Sequence, residues 1–207
     1  MVPQNPETFC YQRLQDHIYV SKELCKLQAA AFVRKIQNAE TILNCIGVLI
    51  CPGQFKIGTA AIMKLKHDKP QLKPHDNVQL WPSFFSGIEV ISNRVTLTHR
   101  DTQSAHVHYD FLVSAGRHTG AWLDLPDIQA RLLYNPCTVT AICGKILRHG
   151  VPYWDDGGER LCIAHYIRDK IHNRLGLGRP EWVTNKPYLE MMDSEFIGRN
   201  KWVIDYV

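Results

Sequence analysis

The stretch IEVISNRVTLTHRD, residues 88–101, is a strand-like run that ends in a histidine and an aspartate two positions apart. It is rich in β-branched residues, which suit a pleated, half-buried surface. Further short runs of the same kind follow: YDFLVSA (109–115), GAWLDLP (120–126), ARLLYN (130–135), CTVTAICGKILRHG (137–150) and RLCIAHYI (160–167). Turn-formers separate them at His118-Thr119-Gly120, Pro126-Asp127, Asn135-Pro136 and residues 155–158. Many short strands at fairly regular spacing predict a β-barrel or sandwich.

Upstream, SKELCKLQAAAFVRKIQNAE (21–40) places Leu24, Leu27, Ala31, Phe32 and Ile36 at helical spacing, with Ser21 as N-cap, and predicts a helix over 21–39 packed on the core. ILNCIGVLI (42–50) reads as a buried strand, and the proline-bearing KLKHDKPQLKPHDN (64–77) as a loop. Downstream, KIHNRLGLG (170–178) suits a short helix closed by a C-terminal glycine, and the remaining tail has no clear period. The expected class is therefore mainly β with flanking α-helices. Its divisions are an N-terminal helical region over 1–41, a β core over 42–169 and a C-terminal extension over 170–207, within a single domain.

A chain of 207 residues with 45% hydrophobic content is long enough for one buried core. Its net charge of +4 tolerates a polyanion without demanding one. Seven cysteines, with no CxxC pair and mostly inside apolar runs, read as reduced, buried thiols. The N-terminus MVPQNPETF lacks the pattern of a signal peptide, and no stretch approaches the roughly 20 apolar residues of a membrane span. A soluble, intracellular protein without membrane association, acting as a monomer, is expected.

His99 and Asp101 project to the same side of extended backbone, so both can grip one ion. His149 ends the later run GKILRHG. Two imidazoles and one carboxylate form the facial triad of non-haem Fe(II) oxygenases, which leaves coordination positions open. Alone, a His-x-Asp triplet is weak, and its bland alternative is a surface turn. Arg160, opening the next run, adds weight: its guanidinium fork would pair with the free carboxylate of 2-oxoglutarate. Arg94 is a second candidate for that pocket, or else an exposed strand arginine. Other ligand choices remain open: His106 and His108, which read as solvated or substrate-facing, His118, and His165, which reads as a core or pocket histidine.

The segments VQLWPSFFSGIEVISNR, ISNRVTLTHRDT, YDFLVSAGRHTGAWLDLP, ARLLYNPCTVTAICGKILRHGV and ERLCIAHYIRD together resemble the TET/JBP oxygenases, specifically the branch expanded in mushroom-forming fungi. The likeness runs from about Ile42 to Asp169. It implies a double-stranded β-helix, a cupin-like jelly-roll dioxygenase core, with His99, Asp101 and His149 as catalytic iron ligands. It further implies 2-oxoglutarate held by Arg160 and Arg94, and molecular oxygen as co-substrate. Its implied activity is oxidation of the methyl group of 5-methylcytosine in DNA, to 5-hydroxymethylcytosine and further. A base must leave the duplex to be reached, and Tyr166 matches the family's stacking position. Arg168 and Ser104 stand where better-known relatives carry a base-reading His and an Asn or Asp, while Tyr109 and Asp110 resemble a Tyr-Asp pair of the fungal branch. DNA carrying methylated bases as partner points to a nuclear location. Alternatives are N6-methyladenine, RNA or a non-nucleic-acid substrate, or an inactive nucleic-acid-binding paralogue.

Overall fold

In the computed structural model, which describes residues 24, 26–67, 77–155 and 158–181, the chain divides into a helical unit, up to residue 84 and again from 170, and a β unit, residues 85–169. Among the described residues, the first begins with two helices, α1 (Leu27–Ile50) and α2 (Pro52–His67). The expected strand at ILNCIGVLI is instead the second half of α1. Buried Val33, Glu40, Leu43 and Gly47 recur at helical spacing, while Ile42, Leu49 and Ile50 of the same apolar run are exposed. A short apolar run has no period of its own, and extending a helix already begun avoids the cost of a new nucleus. Pro52 sets the end: it disfavours helical backbone at Cys51 and then starts α2 at the position where its missing N–H is not needed.

The proposed N-cap Ser21 lies outside the described residues, and α1 begins after Lys26, whose side chain makes no capping bond. Part of the expected loop is helix too, since residues 64–67 are the last turn of α2; residues 68–76, with Lys69 and Lys73, lie outside the description. Lys64 Nζ donates to Leu175 O at 2.9 Å and Lys66 Nζ to Trp81 O at 2.8 Å, so both lysines tie this unit together. Phe55 and Phe84 meet edge to face at 5.1 Å. The short helix α3 (Asp169–Leu175) ends as expected on Gly176, whose φ of 65° favours a residue without Cβ. Residues 182–207 of the tail lie outside the description. No helix among the described residues is long and apolar enough to cross a membrane.

Eight strands build the β unit: β1 (Gly87–Ser92), β2 (Thr96–His99), β3 (Asp110–Gly116), β4 (Trp122–Leu125), β5 (Ala130–Leu133), β6 (Val139–Ile142), β7 (His149–Val151) and β8 (Arg160–Tyr166). They form two four-stranded antiparallel sheets, ordered β1-β8-β3-β6 and β2-β7-β4-β5. Those interleaved orders are a jelly roll, the double-stranded β-helix. The run CTVTAICGKILRHG is two strands, not one: β6 stops at Ile142, residues 144–147 turn, and β7 starts at His149. A glycine inside a strand pattern, here Gly144, marks such a break.

Leu112, Ala121, Leu123, Leu125, Tyr134, Ile142 and Val151 make a buried cluster, with Ala130, Trp154 and Ala164 packed against it. Along β8 the side chains alternate. Arg160, Cys162, Ala164 and Tyr166 line a cavity, and His165, its ring 5.5 Å from Phe85, also borders it, as expected of a core or pocket histidine. Among the described residues five cysteines are free thiols, as expected; Cys51, Cys143 and Cys162 are buried, Cys45 and Cys137 are exposed, contrary to the expectation, and Cys10 and Cys25 lie outside the description. Burial pushes the Cys51 thiol up to about 12, which makes it inert.

Core packing sets stability here. Leu125→Ala, which empties a 3%-exposed site, should cost about 3 kcal/mol by denaturant unfolding. The same change at Leu97, 77% exposed, should cost under about 0.5 kcal/mol.

Candidate metal centre and co-substrate cavity

Strands β2 and β7 pair antiparallel, and the register sets His99 directly across from His149. Asp101 follows two residues beyond His99, its N–H donating to Gly144 O at 2.9 Å. His99 Nε2 lies 3.5 Å from Asp101 Oδ1, and His149 Nε2 lies 3.5 Å from Asp101 Oδ2. These three side chains are the one group among the described residues that offers three ligating atoms to a single ion, all within 4.8 Å of one another. The structure thus brings together the sequence-derived trio.

Hydrogen bonds orient both rings. His99 Nδ1 donates to Leu97 O at 2.9 Å, and His149 Nδ1 donates to Leu147 O at 3.1 Å. A carbonyl only accepts, so the proton of each neutral ring resides on Nδ1 and the Nε2 lone pair faces the trio. That is the tautomer a metal-binding imidazole needs, fixed by the outer bond that such ligands usually carry. Burial lowers the pKa of His149, which favours the same neutral form. The donor set, two imidazole nitrogens and a carboxylate, fits Fe(II).

Gly144 makes room beside Asp101. A Cβ there would stand 2.5 Å from Asp101 Oδ2 and 2.6 Å from Asp110 Oδ2, so any larger residue would push at least one of these carboxylates aside. Asp110 is buried, accepts from Ser104 Oγ at 3.1 Å and is pushed up to about 7, first by burial and then by the negative charge of Asp101. A cation at Asp101 would remove the second cause.

The trio opens on a cavity of about 290 Å³. Arg160 lines it while only 1% exposed. Its Nη1 donates to Arg94 O at 3.0 Å, and its guanidinium carbon lies 5.2 Å from the Trp154 ring centre and 5.9 Å from that of Tyr134. Its buried Nε has no hydrogen-bond partner, and no carboxylate among the described residues forms an ion pair with it. Burial lowers the pKa of Arg160, yet a guanidinium stays charged. A buried, unpaired cation is costly and calls for an anion.

Arg94, Ser104, Asp110, Tyr166 and Arg168 line the same cavity; Tyr109 is half-buried and outside the lining. Ser104 turns its hydroxyl to Asp110. Arg168 stacks 5.2 Å over Tyr166, donates to its hydroxyl at 3.3 Å and also donates to Gln103 Oε1. Of the competing histidines, His106 is exposed and His108 fully buried, so the latter is not solvated as expected; buried His118 contacts Tyr134 O at 3.2 Å and Ser114 Oγ at 3.3 Å. None of these joins the trio. Tyr134, Trp154 and Gly144 escaped the sequence reading. The two aromatics reach Arg160 only through the fold, whereas Gly144 carried a legible signal as a glycine in a strand-like run.

Comparison with known proteins bears on this geometry. A solved structure described as NgTET1 in complex with 5mC DNA matches with a TM-score of 0.55 at 14% identity, over 84% of this chain and 62% of that one. The present chain thus spans under two thirds of that protein, and at such identity the likeness speaks for the fold alone. No curated protein matches in sequence. The family model Tet_JBP, the oxygenase domain of the 2OGFeDO superfamily, matches residues 23–169, so the likeness seen from Ile42 reaches back through α1. With most of its length matched, and with a jelly roll and a His-Asp-His trio in place, the chain belongs to the Tet_JBP family of oxygenase domains in the 2OGFeDO superfamily.

Proposed function

We propose that this protein is an Fe(II)- and 2-oxoglutarate-dependent dioxygenase that oxidises the methyl group of 5-methylcytosine in DNA. The observation that carries the reaction type is one cavity holding both a three-ligand cluster and a buried, unpaired arginine. His99 and His149 would bind iron through Nε2 and Asp101 through a carboxylate oxygen. Arg160 would take the free carboxylate of 2-oxoglutarate through its fork, with Trp154 and Tyr134 flanking its guanidinium and Arg94 as a second contact. When bound, the iron and co-substrate supply the oxygen-activating redox chemistry. The chain's own part is to orient two rings, a carboxylate and a guanidinium around one cavity.

Support for a DNA base as substrate comes from the family and from the cavity's polar residues. Tyr166 offers a ring for an extruded base, and Asp110 and Arg168 offer an acceptor and donors for its edge. Arg168 donates only, so base choice rests on a different pairing from that of a histidine. With DNA as substrate, the nucleus is the compartment this reading assigns.

Anaerobically reconstituted protein, given oxygen, 2-oxoglutarate and methylated DNA, should release succinate with a matching amount of 5-hydroxymethylcytosine by mass spectrometry. Succinate without an altered base would keep the oxygenase and discard the substrate. In His99→Ala and Asp101→Ala succinate should fall to background; full activity in both would sink the site assignment. Arg160→Lys should raise the 2-oxoglutarate requirement roughly 10- to 100-fold, the worth of a hydrogen bond to a charged group. An unchanged requirement would remove Arg160 from the co-substrate site.

A further inference from the structure

Arg100 lies between His99 and Asp101 and borders the same cavity, with its guanidinium bonded to Ile146 O and Asp127. Arg148 likewise immediately precedes His149. Both side chains are half exposed and meet one carboxylate, Asp127, on the short 3-10 turn Pro126–Ile128 that follows β4. Asp127 Oδ2 accepts from Arg100 Nη2 at 3.0 Å and from the Arg148 backbone N–H at 2.8 Å, and Oδ1 accepts from Arg148 Nε at 2.7 Å.

We propose that Asp127 is a positioning residue for the metal centre, gripping the two ligand-bearing segments next to His99 and His149. The inference rests on reading His99, Asp101 and His149 as metal ligands. Three features separate this contact from an ordinary surface pair. One of its bonds is to backbone, which fixes the chain next to His149 and not merely a flexible side chain. A single carboxylate serves both segments, so its loss removes a tie from each at once. The link is also part of a closed ring, because Arg100 Nε donates to Ile146 O at 2.8 Å and Asp101 N–H to Gly144 O at 2.9 Å. The Arg148 N–H and then its guanidinium hold the Asp127 carboxyl down at about 2, so the clamp stays charged across the working pH range.

An exposed pair contributes little to stability, so the effect belongs in ligand geometry and should be read as metal affinity. The test is Mn(II) binding to the full chain, followed by electron paramagnetic resonance, with thermal unfolding in parallel. Asp127→Ala should weaken Mn(II) binding about tenfold, the lower end of what outer-shell partners contribute. Asp124→Ala cuts a comparable contact, Arg131 Nε to Asp124 Oδ1 at 2.7 Å on the β4–β5 hairpin, and should leave affinity within about twofold. Wild-type affinity in Asp127→Ala, or equal weakening in both variants, overturns the inference. If Asp127→Ala does not fold, Asp127→Asn decides: weaker binding supports the clamp and unchanged binding overturns it. Wild-type protein that binds no Mn(II) would instead sink the metal-centre reading itself.

Discussion

The pairing of β2 with β7 is the constraint on which the site depends. Because side chains alternate along a strand, a slip of one residue in that register would turn His149 away from His99. The register is held by more than ladder bonds. The turn at 144–147 donates and accepts across to residues 100–102, through Gly144 O, Ile146 O and the bond from Lys145 Nζ to Thr102 O. Each imidazole is then turned by its bond to the carbonyl two residues back. A three-residue strand such as β7 is too short to specify this alone.

Burial of charge gives the cavity its polarity. Arg160 sits among aromatic rings with one donor unanswered, and Asp110 is crowded by burial and by a neighbouring carboxylate. Both arrangements are costly on their own, since each leaves a charge or a dipole without its full complement. A divalent cation beside Asp101 and a dianionic chelator reaching Arg160 would answer both at once. Local rules are typically broken where function needs it, and here the breaches share one cavity.

Much of this was legible from sequence, though unevenly. Strands β3, β4, β5 and β8 each fell within a strand-like run between turn-formers, so a barrel or sandwich could be expected, and the family resemblance implied the jelly roll; β1 and β2 were read as one run, which the fold breaks at Asn93 with its φ of 47°. His99, Asp101 and His149 were each flagged by chemistry. The helix α1 was cut short because ILNCIGVLI carries no periodicity that separates a strand from a helix, and only packing decides. Trp154 and Tyr134 beside Arg160, and Asp127 between Arg100 and Arg148, are far apart in sequence and meet only in the folded sheets. Non-local contacts of ordinary residue types leave no local signal.

His99, Asp101, His149 and Arg160 line one cavity, so one iron and one 2-oxoglutarate should occupy it together. Anaerobic titration of the wild-type chain with Fe(II) and 2-oxoglutarate, followed by the visible charge-transfer absorption of a chelated Fe(II)–2-oxoacid, tests it most directly. The band should saturate at one equivalent of each and need both. A folded protein that shows no band, or a band indifferent to 2-oxoglutarate, would contradict it.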